Sequence, residues 1–362
     1  MSIWRLLWLL LLILLMAGCS ERDRPLDSPV TLQGEIFGTF YQVTIADTLT
    51  QREANALEEG VQAELEAVDA AMSTWREDSE LMAFNEAPLG EWQRLSDELI
   101  EVLAIGQAVA DASDGAFDMT IGGLVNLWSF GPEARPREVP SAASLSARLA
   151  ETGPDSLEVD EQARRARRLR DVFVDLSGVA KGHATDRVAA YLSHQQLDHF
   201  LVNLGGELKV RGHRDAESEP WRIGIETPRD GPQQAQHVLP LENIAVATSG
   251  DYRNYFEHDG QRYSHTLDPR TGRPIDHRLA SVTVVHPSDA WADAWATALL
   301  VLGEQAGMAL ARERSLAVLM LVRQDEGWRS LVSPAFVDHF GREVVDTLEV
   351  SVVDEPAEHG DR

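Results

Sequence analysis

The chain has 362 residues, 44% of them hydrophobic, enough apolar side chain for one large core or two ordinary ones. Its 59 acidic residues outnumber 32 basic ones and set the net charge at -27. A surface of that sign repels phosphate backbones and argues against a nucleic-acid partner.

The first stretch, "MSIWRLLWLLLLILLMAGCS", holds Arg5 and then an apolar run from Leu6 to Met16. The run is shorter than the roughly 20 residues a membrane-spanning helix needs, so it reads as a cleaved signal. Its ending, Met16-Ala17-Gly18-Cys19, resembles a bacterial lipoprotein signal, in which cleavage leaves Cys19 for acylation. Cys19 is the only cysteine, so no intrachain disulfide can form. The expected organisation is a signal peptide over 1–18, a lipidated cysteine and polar tether over 19–30, one catalytic unit over 31–350, and an acidic disordered tail over 351–362. Such a protein is expected on the periplasmic face of a bacterial membrane, held there by its lipid.

"EIFGTFYQVTIADT" reads as a strand with a bend at Gly38. Leu57, Val61, Leu65, Val68 and Met72 then recur at helical spacing and predict a long amphipathic helix. Ser96 is a plausible N-cap for a second helix carrying Leu99, Val102, Leu103 and Val109. "VFVDL", residues 172–176, reads as a short apolar strand, and "GHATDRVAAYLSHQ" as a helix. Strands dominate afterwards: "HFLVNLGGELKVRG", "WRIGIETP", "NIAVATSGDYRNYFEHDGQRYSHTLDP" and "SVTVVHP". A helix over "DAWADAWATALLVLG" follows, then another from Glu304 to Arg314, and "LAVLMLVRQ" is a last buried strand. Early helices and later strands joined by short turns predict an α+β fold with antiparallel sheet rather than a doubly wound parallel one.

Four stretches carry possible chemistry. "VDLSGVAKGHATD" places a glycine-bearing turn before a helix, where backbone N–H groups attract phosphate; it is equally an ordinary capped turn. "SDGAFDMTIGGLVNLWSFG" offers either plain core or an apolar wall for a flat ring, with Asp118 as a polar anchor. "RYSHTLDPRTGRPID" puts His265 just before a turn, as a structural residue or a general base. In "DAWADAWATALLVLG", Asp293 and Thr297 are one helical turn apart. With Asp289 and Glu304 they form either a solvated face or, as an oxygen pair, ligands for a hard cation.

Taken in order, these stretches resemble the ApbE family of FAD:protein FMN transferases, from about Gly34 to about Val322. "GTFYQV", "MSTWREDSELMAFN", "LVNLGGELKVRG" and "AVATSGDYRNYF" share in the resemblance. The resemblance implies an ApbE or T-fold-like α+β architecture of antiparallel sheets with packed helices. It implies FAD as substrate, Mg²⁺ as cofactor, and transfer of FMN to a Thr or Ser hydroxyl with release of AMP. Implied acceptors are membrane-bound subunits of sodium-pumping NADH:quinone reductase or Rnf-type complexes. Carried over by motif, Asp293, Thr297 and a backbone oxygen at Gly178 hold the metal. Phe37, Trp75, Ala116, Phe117, Asp118, Asp175, Lys181 and Thr266 contact FAD, and His265 acts on the acceptor hydroxyl. Hydrolysis of FAD to FMN and AMP, and a non-enzymatic flavin-binding lipoprotein, are the alternatives.

Overall fold

Two alternating strands set the layering. In Leu279–His286 every residue but His286 is buried, with Val282 and Val284 on one side and Val285 on the other. In Ala317–Arg323, Val318, Met320 and Val322 join the first side, and Leu319 and Leu321 the second. A sheet buried on both faces reads as a nearly continuous apolar run, which is how both segments look. The computed structural model describes residues 24–27, 29–133, 135–215, 217–229, 231 and 234–354. The expected signal peptide, Cys19 and the end of the acidic tail lie outside the described residues.

Nine strands form the main sheet, in the order Val30–Ile36, Thr39–Ile45, Phe200–Leu204, Glu207–Arg211, Ala245–Gly250, Leu279–His286, Ala317–Arg323, Trp328–Val332 and Ser351–Val352. Every neighbouring pair is antiparallel except the last, which is parallel. The α+β expectation with antiparallel sheet therefore holds. Two boundaries differ from expectation. Pro25 bridges to Thr50, and Ser351–Val352 pairs with Leu331–Val332, so residues of the tether and tail dock on the body.

Helices Gln51–Met72, Asp97–Ala112, Ala180–His194 and Asp289–Glu313 cover one face. The first is closed by a capping box between Thr50 and Glu53, and Ser96 caps the second as expected. On the other face lie the hairpin Trp221–Glu226 and Ala235–Leu241 and two short helices, Pro334–Phe340 and Arg342–Thr347. A third, smaller cluster gathers Leu124, Trp128, Leu145, Phe256 and Leu267.

Several sequence expectations are corrected. The segment around Gly38 is a hairpin, not one bent strand; Phe37 and Gly38 form its turn with φ of 54° and 71°. Residues 172–176 are extended but make only one strand-like bridge, Phe173 to Ile121. Asn85 fills the partner's place there: its amide donates to the Val174 carbonyl at 2.9 Å and accepts from the Val174 N–H at 2.7 Å. The two helices expected around residue 303 are both present, as the two arms of Asp289–Glu313 on either side of a non-helical break at Gly303 with φ 78°. The solvated-face reading of this helix fails, because Asp289 and Asp293 are 0% and 2% exposed.

Alanines explain that burial. Ala290, Ala292, Ala294, Ala296 and Ala298 are all buried, and small side chains let the helix lie close to the sheet and to Ala180–His194. The approach is tightest at Gly182, where an added Cβ would stand 2.3 Å from the Asp289 carbonyl oxygen. Gly182→Ala is expected to cost about 1–3 kcal/mol through forced separation of the two helices. Thermal unfolding checks it; an unchanged Tm would mean the contact has slack.

Candidate active site

A cleft of about 860 Å³ opens between the main sheet, the hairpin Trp221–Glu226 and Ala235–Leu241, and the loops at 116–125 and 248–269. Its walls include Ala116, Phe117, Asp118, Asp175, Gly178, Lys181, His265, Thr266, Asp293 and Thr297. Four stretches far apart in sequence thus meet at one place. Phe37 and Trp75 are not among the lining residues. Phe37 packs half-buried against the core at its hairpin turn, and Trp75 is 72% exposed beyond the helix Gln51–Met72. Phe40, on the strand after Phe37, faces the cleft instead.

The floor is built by the two close-packed helices. The Gly182 N–H, in the first turn of Ala180–His194, donates to Asp293 Oδ2 at 3.1 Å. Burial pushes the Asp293 pKa up, against the pull of the Lys181 charge and the Gly182 N–H. Thr297 stands one turn on, with its Oγ1 3.1 Å from Ser249 Oγ. Gly178 lies so near that an added Cβ would sit 3.3 Å from Thr297 Oγ1 and 3.1 Å from the Phe117 ring. The turn at 175–178 is held by Asp175, whose Oδ1 accepts from the Ser177 N–H at 2.8 Å.

Asp293, Thr297 and the Gly178 turn are an all-oxygen set. Among the described residues, no group of three or more His, Cys, Asp and Glu side chains gathers to hold a metal. A sparse oxygen set suits a hard cation such as Mg²⁺, which keeps few protein ligands where phosphates supply the rest. The residues fit that ion: a buried carboxylate with a raised pKa gains from an added positive charge, and glycine at 178 leaves the space above Thr297 open.

Lys181 points into the cleft and forms an ion pair with Glu207, whose side chain is 3% exposed. Burial opposes the ammonium charge, but Glu207 and then Asp293 outweigh it and hold Lys181 protonated. Glu207 follows the turn Gly205-Gly206, where φ values of 62° and 115° require glycine. Sequence reasoning quoted "NLGGE" without giving Glu207 a role. The usable signal is an acid directly after the tight Gly205-Gly206 turn.

On the facing wall, Asp118 Oδ1 accepts from the Thr120 N–H at 2.8 Å and its hydroxyl at 2.7 Å, while buried Oδ2 has no partner. Burial pushes its pKa up to about 6, against those two donors. Trp128 Nε1–H donates to the Gly272 carbonyl at 2.8 Å and so ties the 113–131 loop to the turn after His265. Phe130 meets the His265 ring edge-on at 6.3 Å. His265 Nδ1 lies 3.0 Å from the Asn254 carbonyl oxygen. A carbonyl only accepts, so Nδ1 carries the proton and Nε2 keeps its lone pair. Burial holds the His265 pKa below the ordinary histidine value, with Asn254 pulling it back and Lys181 pushing it further down. A neutral imidazole with a free nitrogen in a polar cleft is equipped to accept a proton.

Known proteins resemble the chain over most of its length. A profile of the ApbE family matches residues 37–320. An FAD:protein FMN transferase from Vibrio cholerae is 41% identical over 331 residues, covering 91% of this chain and 97% of that protein. One from Klebsiella pneumoniae is 39% identical over 328 residues, covering 89% and 93%. The apo crystal structure of the flavinyl transferase ApbE from Pseudomonas stutzeri superposes with a TM-score of 0.79 at 39% identity, covering 88% of this chain and 98% of that one. The chain therefore belongs to the ApbE family of flavin-transferring enzymes.

Proposed function

We propose that the protein transfers the FMN half of FAD to a Thr or Ser hydroxyl of an acceptor protein, with Mg²⁺ as cofactor and AMP as leaving group. The observation that carries this reading is the meeting in one cleft of the Asp293–Thr297 oxygen pair and a neutral, proton-accepting His265. The matching relatives, named for FMN transfer from FAD to protein, support the same substrate.

Each part has a defined task. Asp293, Thr297 and the Gly178 turn would hold Mg²⁺, which neutralises pyrophosphate charge in a molecule that is itself strongly anionic. Lys181 adds a second positive group on the same wall. Phe117 and Ala116 give an apolar surface for the flavin ring, and the unpartnered Asp118 oxygen gives it a hydrogen-bond acceptor. The acceptor oxygen attacks the FMN phosphorus, its proton passes to His265 Nε2, and the phosphorus–oxygen bond to AMP breaks. Holding these atoms in line is the chief contribution of the cleft.

The N-terminal signal and Cys19 support a lipid-anchored protein on the periplasmic face of a bacterial membrane. Membrane-bound acceptors, such as subunits of sodium-pumping NADH:quinone reductase or Rnf-type complexes, would lie within reach of that anchor.

Intact mass of a candidate acceptor after incubation with FAD and Mg²⁺ tests the reaction; AMP release without a gain of one FMN would point to hydrolysis. Asp293→Ala is expected to abolish labelling while keeping the circular dichroism of the parent. Normal labelling by that variant removes the metal assignment. The pH profile tests His265. Since its folded pKa lies below 6.5 and the neutral form is the base, labelling should persist below pH 6.5 and fall only as the ring protonates. His265→Gln should lose most of the rate and that acid limb together; an unchanged limb assigns it to another group.

A further inference from the structure

Lys181 stands between two carboxylates. It pairs with Glu207, yet it is near enough to Asp293 for that charge to raise its pKa as well. Lys181 also sits in the same helical turn as Gly182, whose N–H holds Asp293 Oδ2. The lysine side chain is 32% exposed and has room to move, whereas Glu207 is 3% exposed and fixed by the glycine turn before it. Burying a carboxylate is costly unless it is paired, so the fold has invested in Glu207 at this point.

We propose that Glu207 is a positioning residue: it draws the Lys181 ammonium off the Asp293 carboxylate and so leaves that carboxylate open to a divalent cation. The inference rests on the metal reading above and deepens it. Without Glu207, Asp293 is the carboxylate whose charge acts most strongly on Lys181. The ammonium then competes with the cation for the same oxygens, and the site fills only at higher metal concentration. With Glu207 present, the lysine keeps its charge beside the cleft and can still face a phosphate.

The test is Mn²⁺ binding, followed by electron paramagnetic resonance, with saturating FAD and no acceptor. Glu207→Gln keeps the side-chain shape and is expected to weaken Mn²⁺ binding by about tenfold or more, as losing an outer partner of a metal ligand commonly does. Adding Lys181→Met to that variant removes the competitor and should return binding to within about threefold of the parent. Unchanged binding in Glu207→Gln, or no recovery in the double variant, overturns the inference. A role in folding alone would not give that recovery. If Glu207→Gln does not fold, Glu207→Asp replaces it: the shorter acid loosens the pair and should weaken binding, and parent-like binding overturns the proposal. Asp293→Asn separates the two readings. If it binds Mn²⁺ like the parent, the metal site itself is wrong; if it loses Mn²⁺ while Glu207→Gln does not, only the role of Glu207 fails.

Discussion

One hydrogen bond organises the cleft: the Gly182 N–H to the carboxylate of Asp293, 111 residues away in sequence. It joins the start of one buried helix to the side of another, and it exists only because their backbones nearly touch. Any side chain at 182 would strike the Asp289 carbonyl. The alanines of Asp289–Glu313 provide the same closeness towards the sheet. A carboxylate placed there has lost its water, and a single N–H at a helix start offsets only part of that loss. The site is left with a demand for positive charge, met in part by Lys181. That demand, rather than any large ligand cage, is what supports the proposed cation site.

The same junction concentrates negative charge and manages it residue by residue. Asp186 accepts from the Ser288 hydroxyl and from the Ala290 N–H, at 2.7 and 3.1 Å, and so caps the long helix from outside it. Lys209 pairs with Asp186, as Lys181 pairs with Glu207. Asp289 is fully buried and both its oxygens lack a hydrogen-bond partner. Burial, with Asp186 and Glu207 nearby, pushes its pKa well above the usual carboxylate range. A protonated Asp289 would lower the charge beneath the cleft below what the sequence count implies. In the proposed reaction that lower charge would ease binding of an anionic dinucleotide together with its cation.

Periodicity made the helices legible, since their buried residues fall on one stripe: Leu57, Val61, Leu65 and Val68 are all within 6% exposure. It could not orient the long helix, whose Asp289, Asp293, Thr297 and Glu304 share one side and fit a solvated face as well as a buried one. Asp293 and Thr297 were readable as a pair, but whether they faced water or a cleft depended on Gly182, a partner periodicity does not reveal. Residues 172–176 looked like a strand because most of their side chains are apolar; Asn85 bonds both backbone groups of Val174, and the backbone at Met119 and Gly122 bonds Asp175 and Phe173, all long-range contacts with no local signature. The hairpin at Phe37-Gly38 was hidden because a non-glycine residue takes the first left-handed position. Family likeness supplied Phe37 and Trp75 as flavin contacts, yet neither lines the cleft as it stands.

The two chemically active walls have different supports. Asp293 and Thr297 lie in the arm of the long helix before Gly303, which is mostly buried and packs on the central strands. His265 follows a separate two-stranded hairpin, Tyr255–His258 with Gln261–Ser264, that among the described residues pairs with no strand of the main sheet. Its anchor is aromatic: Phe256 and Tyr263 pack on Trp128, whose indole N–H reaches the Gly272 carbonyl. A metal site tolerates little displacement, because its oxygens must stay within bonding reach of one ion. A proton acceptor must meet a hydroxyl brought by another macromolecule, and a wall supported by side-chain packing can adjust to it more readily than one built into the sheet. The proposed division of labour matches these supports, with the proposed metal ligands on a helix packed into the core and the proposed base beside a separate hairpin.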